Sequence, residues 1–310
     1  MELLFRHPEV WSGDAVVIGS ARLDAPELEG AARFSTDERA RGHAAVGVTY
    51  EGRHDVAVVL LPKGKRRRDY FFALARAAAP TLIVVGAKNE GIKSARKVLA
   101  TQGAVRRVEY GNHQQLVVAA LEQAPISSLA TWELRYEARD LTVVSLPGVF
   151  SDGRLDAGTT CLLDALPPLQ GRVLDLGCGT GILGAFAAAQ GAEVVLADVD
   201  HLAVESAART LRANGLAGKT IASDLFANVA GRFDAIVTNP PFHQGVQTEY
   251  DVTRRLIRDA AAHLTPEGTL WIVANRFLPW EEPLRARFAE VRIASENSRF
   301  RIYAASQPND

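Results

Sequence analysis

Residues 173–184 read VLDLGCGTGILG. The apolar run up to Leu176 predicts a strand, the glycines that follow a tight turn, and the Ile-Leu-Gly-Ala stretch the start of a helix. Glycine lets a backbone reverse sharply and lets a ligand approach it closely, and free N–H groups at a helix start face that ligand. A small cofactor is therefore expected here. Two registers compete, because Gly179, Gly181 and Gly184 also satisfy the dinucleotide spacing GxGxxG. The strand ends at Leu176, however, so the turn begins at Gly177 and the pattern becomes Asp175-x-Gly177-x-Gly179-x-Gly181, with Cys178 inside it. Asp175 decides between them. A strand-end carboxylate repels a pyrophosphate but accepts a charge-assisted hydrogen bond from an ammonium group.

Outward from this loop, strands are expected over 172–177, 192–200, 219–224, 233–239 and 268–275, and helices over 183–190, 202–215 and 253–264. The stretch EVRIASENSRFRIYAAS (290–306) alternates around a Glu-Asn-Ser turn and predicts an antiparallel hairpin. Five parallel strands closed by a hairpin make a doubly wound α/β sheet. The first half reads as a faded copy. HDVAVVLLPKGK (54–65) matches FDAIVTNPPFHQ (233–244), each an apolar strand ending in proline, and hairpins around Asn112 and Asn297 close the two halves. The expected organisation is thus a degenerate domain over 1–125, a linker over 126–145 and a catalytic domain over 146–310.

The 310-residue length also suits two domains. With 47% hydrophobic and 23% charged residues the composition is that of a globular chain, and no apolar run is long enough to span a bilayer. The start MELLFRHPEVW carries Glu2, Arg6 and His7, unlike an apolar leader, so a cytoplasmic location is expected. Cys161 and Cys178 form no CxxC pair and no zinc-like spacing, so neither a disulfide framework nor a metal is expected.

Further acids follow the loop in order. Asp198 ends the second strand, 17 residues beyond Gly181, where it can accept hydrogen bonds from both hydroxyls of a ribose. Asp224 follows the third strand and can meet an adenine amino group, with Leu225 or Phe226 beside the ring. Read together, the Asp175–Gly181 pattern resembles motif I of the class I methyltransferases, which implies S-adenosylmethionine as cofactor.

The stretch FDAIVTNPPFHQG (233–245) carries the remaining chemistry. An exocyclic amino group on a base is a poor nucleophile because its lone pair is conjugated into the ring. Two acceptors that grip both N–H bonds draw that nitrogen toward tetrahedral geometry. The Asn239 side-chain oxygen and the Pro240 carbonyl suit that task, the two prolines stiffen the turn, and Phe242 offers a stacking face.

The stretches LPGVFSDGRLDAGTTCLL (146–163), VLDLGCGTG, TNPPFHQGVQT (238–248) and IVANRFLP (272–279) resemble the bacterial small-subunit ribosomal RNA guanine-N2 methyltransferases. The resemblance implies two tandem Rossmann-like methyltransferase domains, only the second catalytic. It further implies Phe150 and Ser151 over the cofactor, and Asn239, Pro240 and Phe242 around guanine N2. A monomer acting on ribosomal RNA, within the small subunit, is expected. Between Lys63 and Arg107 the chain holds twelve Lys or Arg against Asp69 and Glu90. Phosphate neutralisation is the plain use of such a segment, with Lys63, Lys65, Arg66, Arg67 and Arg68 as its expected RNA contacts. The residues alone leave other acceptors open, among them large-subunit guanine, adenine N6 and a protein glutamine. A non-catalytic RNA-binding assembly factor is the rival of another kind, while a nicotinamide oxidoreductase has no use for Asn239-Pro240-Pro241.

Overall fold

The computed structural model describes every residue except 1, 12, 20–22, 24, 29, 152, 241–246 and 310. The chain divides into two compact units, Met1–Glu133 and Leu134–Asp310.

The first unit runs α1 (Glu2–Phe5), β1 (Ala15–Gly19), β2 (Ala32–Ser35), β3 (Ala45–Val46), β4 (Val56–Leu60), α2 (Lys65–Ala78), β5 (Thr81–Ala87), α3 (Ile92–Gln102), β6 (Gly103–Gly111) and β7 (Gln114–Leu121). The second runs β8 (Leu134–Ala138), β9 (Leu141–Ser145), α4 (Ala157–Ala165), β10 (Arg172–Leu176), α5 (Ile182–Ala189), β11 (Glu193–Asp198), α6 (His201–Ala213), β12 (Lys219–Ala222), β13 (Phe233–Thr238), α7 (Gln247–Ala260), β14 (Leu264–Asn275), α8 (Glu281–Arg285), β15 (Phe288–Glu296) and β16 (Phe300–Pro308). The two seven-stranded sheets have orders β3-β2-β1-β4-β5-β7-β6 and β12-β11-β10-β13-β14-β16-β15, the same topology strand for strand. In each, five strands are parallel and the last hairpin is antiparallel. The duplication legible in the sequence is therefore a duplication of fold.

Register shows what the first copy lacks. Asp175 sits opposite Val237, three residues before Pro240. In the first unit Ile18 sits opposite Val59, three residues before Pro62. Ile18 thus stands where Asp175 stands, and Leu61 where Asn239 stands.

Helices cover both faces of the second sheet, so the middles of its parallel strands β10, β11 and β13 are mostly apolar rather than alternating. Val173 packs beneath α5 with Val194 and Leu196. Leu174 and Leu176 point to the opposite core with Val195, Ile236 and Ile272. Leu174 is fully buried, so truncating it to alanine removes about 2–5 kcal/mol of stability.

The expected linker 126–145 is only partly loop. Residues 134–145 form the β8–β9 hairpin, which turns at Arg139 and Asp140, both at positive φ. Val143 and Val144 are fully buried, and Val144 N–H donates to Thr210 Oγ1 of α6 at 3.0 Å. Helix α7 begins at Gln247, earlier than the expected 253. No helix among the described residues is long and apolar enough to cross a membrane.

Candidate active site

Strand β10 delivers the glycine turn to the carboxyl edge of the second sheet, where open α/β sheets bind ligands. Gly177, Gly179 and Gly181 all take positive φ, at 70°, 53° and 78°. Two of them do different work. A Cβ on Gly181 would lie 2.7 Å from Ala207 Cβ of α6, so the absence of a side chain lets the two helices meet. A Cβ on Gly177 would meet nothing within 4 Å, so here the missing side chain leaves space above the turn.

Three of the turn's amides are used inside the fold. Gly177 and Cys178 N–H groups donate to the Ala197 carbonyl at 2.8 and 3.0 Å, and Gly179 N–H donates to Asp198 Oδ2 at 2.9 Å. The turn is thereby tied to the end of β11. Cys178 is buried, which raises its thiol well above the ordinary value and keeps it protonated.

Asp175 is buried beneath α5, and its Oδ2 accepts from Gly184 N–H at 2.8 Å. Its Oδ1 has no partner. Desolvation by burial raises this carboxyl to about 7. Asp198 accepts from Gly179 and, through Oδ1, from Asp200 N–H at 2.9 Å; burial raises it to about 6. It anchors the glycine turn as well as standing at the expected ribose position. Asp224 is half-buried after β12, 3.5 Å from the Arg255 guanidinium. Leu225, beside it, takes φ of 52°.

Strand β13 ends at Thr238, whose hydroxyl donates to the Leu176 carbonyl at 2.8 Å and locks the two strand ends together. Asn239 follows. Its Nδ2 donates to Asp156 Oδ2 at 3.1 Å and to Thr159 Oγ1 at 2.9 Å. Asp156 is also the N-cap of α4, accepting from Gly158 and Thr159 N–H groups at 2.8 and 3.0 Å. A carboxylate only accepts, so the amide orientation of Asn239 is set and Oδ1 is the atom left to accept from a substrate. Pro240 is buried behind it. Phe242 lies outside the described residues.

Asn239, Asp156 and Thr159 share an open cavity with Gly177, Cys178 and Gly179. Phe150 and Ser151 also line it, as does Tyr136 of β8. Ser151 takes φ of 67°, and its hydroxyl donates to the Arg154 carbonyl. Asp156, Thr159 and Tyr136 were missed in the sequence. Asp-x-x-Thr ahead of an apolar run is a helix-start signal, but nothing local says that the cap reaches a strand end 83 residues away. Asp224 and Leu225 do not line this cavity.

The basic run in the first unit needs correction. Arg67 and Arg68 are buried, with Arg67 donating to Thr36 Oγ1 at 3.0 Å and Arg68 to Ser94 Oγ at 3.0 Å and Asp69 Oδ1 at 2.8 Å. Arg66 donates to the Trp132 carbonyl. These arginines brace α2 within the unit; the buried guanidinium groups of Arg67 and Arg68 do not reach a phosphate, while Arg66 is only half-buried. Lys63 and Lys65 remain exposed.

The strand order, the glycine turn, the acids near the ends of β10 and β11 and the Asn-Pro after β13 define a class I S-adenosylmethionine-dependent methyltransferase. The methyltransferase small domain family matches residues 140–304, and its N-terminal domain family matches residues 29–136. The chain belongs to the ribosomal RNA small subunit methyltransferase C family. A Stutzerimonas stutzeri protein of that name is 40% identical, with 98% of each chain covered. One from Pasteurella multocida is 38% identical over 83% of this chain and 81% of its own. The chain is also similar to a T. thermophilus 16S rRNA N2 G1207 methyltransferase solved with AdoMet and guanosine. That structure has a TM-score of 0.81 and 29% identity, covering 95% of this chain and 88% of that one.

Proposed function

We propose that this chain methylates the exocyclic N2 amino group of a guanine in 16S ribosomal RNA of the small subunit, using S-adenosylmethionine. The observation that carries the reading is the Asn239 amide, held by Asp156 and Thr159 against the cavity that the glycine turn opens. The names of the relatives support small-subunit ribosomal RNA as the substrate, and the guanosine-bound neighbour supports guanine N2.

The residues present fit the cofactor. Asp175 keeps a buried oxygen without a partner, and the space above Gly177 is free of side chains. Asp175 would meet the cofactor's ammonium, Asp198 its ribose, Asp224 and Leu225 its adenine, and Phe150 and Ser151 would cover it. When bound, S-adenosylmethionine supplies an electrophilic methyl group on its sulfonium. The chain supplies orientation. Asn239 Oδ1 and the Pro240 carbonyl accept the two N–H bonds of the guanine amino group and turn its lone pair toward the methyl. Phe242, outside the described residues, would stack on the base as the resemblance implies. Holding a weak nucleophile in a near-attack geometry is where such a site gains most of its rate.

No group of three or more His, Cys, Asp or Glu suited to a metal occurs among the described residues, and the displacement needs none. A cytoplasmic monomer, with the first unit as the RNA-docking unit, completes the reading. The test is transfer from labelled S-adenosylmethionine to unmodified small subunits, large subunits and free RNA, followed by nucleoside analysis. Label in N2-methylguanosine from small-subunit RNA, strongly reduced in Asn239→Ala, is the expected result. Label in another nucleoside or in protein reassigns the acceptor, and no label anywhere refutes catalysis.

A further inference from the structure

The duplicated fold provides an internal control on surface charge. Helix α3 and strand β6 of the first unit occupy the topological place of α8 and β15 in the second. Residues 92–111 carry Lys93, Arg96, Lys97, Arg106 and Arg107 against Glu109 alone. Residues 281–296 carry Arg285, Arg287 and Arg292 against Glu281, Glu282, Glu290 and Glu296. One scaffold, needing the same solubility in both copies, has become basic in one and mildly acidic in the other. General solvation does not explain that asymmetry.

The side chains show which cations are available. Arg107 is occupied: its guanidinium pairs with Glu109 at 2.6 Å and Glu9 at 3.0 Å, which also removes the only acid of the segment. Lys93 and Lys97 are exposed one helical turn apart on α3, and neither has an ion-pair partner among the described residues. Arg96, on the same turn, donates to the Tyr110 hydroxyl at 3.0 Å. Tyr110 stands on β6, the edge strand of its sheet, and is 62% exposed. An aromatic ring that exposed has no packing role, yet its hydroxyl is held by a cation. Arg106, at the bulge of β6, is exposed as well.

We propose that Lys93, Arg96, Lys97 and Tyr110 form the RNA-docking surface of the first unit. Lys93 and Lys97 neutralise backbone phosphates, and the Tyr110 ring, fixed by Arg96, takes an unpaired base. Single-stranded RNA is bound by this combination of cations tracking the backbone and an aromatic face for a base. The inference rests on the RNA substrate proposed above and moves the docking site away from the Lys63–Arg68 run.

The test uses the full chain with protein-free 16S RNA and with unmodified small subunits, at several salt concentrations. Lys93→Glu/Lys97→Glu is expected to raise KM at least about tenfold at 0.15 M salt and to lower the salt slope by roughly 1.5–2, with kcat unchanged. Tyr110→Ala is expected to weaken binding about tenfold without changing the slope. S-adenosylmethionine binding stays as in the parent protein, and Lys93→Gln/Lys97→Gln gives the same direction of change without charge reversal. Unchanged KM and slope in these variants, or loss confined to Lys63→Glu/Lys65→Glu, overturns the proposal. Loss seen with assembled subunits but not with protein-free RNA makes the occupant a ribosomal protein and also overturns it. A parent protein that methylates no RNA refutes the activity instead, so the two failures are distinguishable.

Discussion

Thr159→Val removes one hydroxyl and nearly nothing else. The side chain is 6% exposed and valine has its shape, while the backbone N–H that Asp156 caps is untouched. What is lost is the 2.9 Å hydrogen bond to Asn239 Nδ2. A neutral hydrogen bond has a net worth of about 0.5–1.5 kcal/mol. If that energy holds Oδ1 in position for the reacting amino group, kcat falls by about 2- to 13-fold, taking 1.36 kcal/mol per decade. Asp156→Ala removes a charge-assisted bond worth about 1.5–3 kcal/mol, hence a fall of roughly 10- to 150-fold. It also removes the α4 cap, at a cost of about 1 kcal/mol in urea unfolding. Single-turnover transfer at saturating S-adenosylmethionine and RNA measures these factors free of binding. Both substitutions are then repeated in the Asn239→Ala background. If they act by positioning Asn239, they have no further effect there, and Thr159→Ser restores activity in the parent. The same loss from Thr159→Val with Asn239 already removed would refute the positioning argument, because the hydroxyl would then be acting on something else.

The two glycines with different neighbours should separate on substitution. Gly181→Ala puts a Cβ 2.7 Å from Ala207 at positive φ and is expected to cost about 2–3 kcal/mol in chemical denaturation, whereas Gly177→Ala leaves a folded protein about 1 kcal/mol less stable that no longer binds S-adenosylmethionine in calorimetry. The Asp175 carboxyl, near 7 when buried, must lose its proton to meet the cofactor's ammonium, so S-adenosylmethionine affinity should be at least about tenfold weaker at pH 6 than at pH 8, and Asp175→Asn should leave only the roughly twofold dependence that Asp198, near 6, supplies. For the free protein the sign is opposite. The folded state holds the Asp175 and Asp198 protons more tightly than the unfolded chain, whose value is near 3.8, so these groups lower stability as pH rises from about 4 to 7, a trend thermal unfolding of the parent and of Asp175→Asn resolves.

Sequence alone determined whatever is local or repetitive. The alternation of apolar strands with helical runs, glycines at positive-φ turn positions and the Asn-Pro after β13 are each written within a few residues. A doubly wound sheet then brings the ends of β10 and β13 to one edge by topology, so Asp175, Gly177 and Asn239 could be grouped without coordinates. The fading of the first copy was legible for the same reason, since Leu61 and Pro62 stand where Asn239 and Pro240 do. Tertiary structure decided what depends on contacts between distant segments. Burial of Arg67 and Arg68 against Thr36 and Ser94 turned an apparent phosphate-binding run into internal bracing. The β8–β9 hairpin became part of the catalytic unit because α6 offers Thr210 to Val144 and, just past the hairpin, Ser206 to Leu146. Asp156 and Thr159 reached Asn239 only because α4 packs over β14 and β16. Local propensity acts over one turn of chain, whereas the partner of a buried polar group is chosen by how the sheet and its helices pack. The orientation of the Asn239 amide belongs to that second kind.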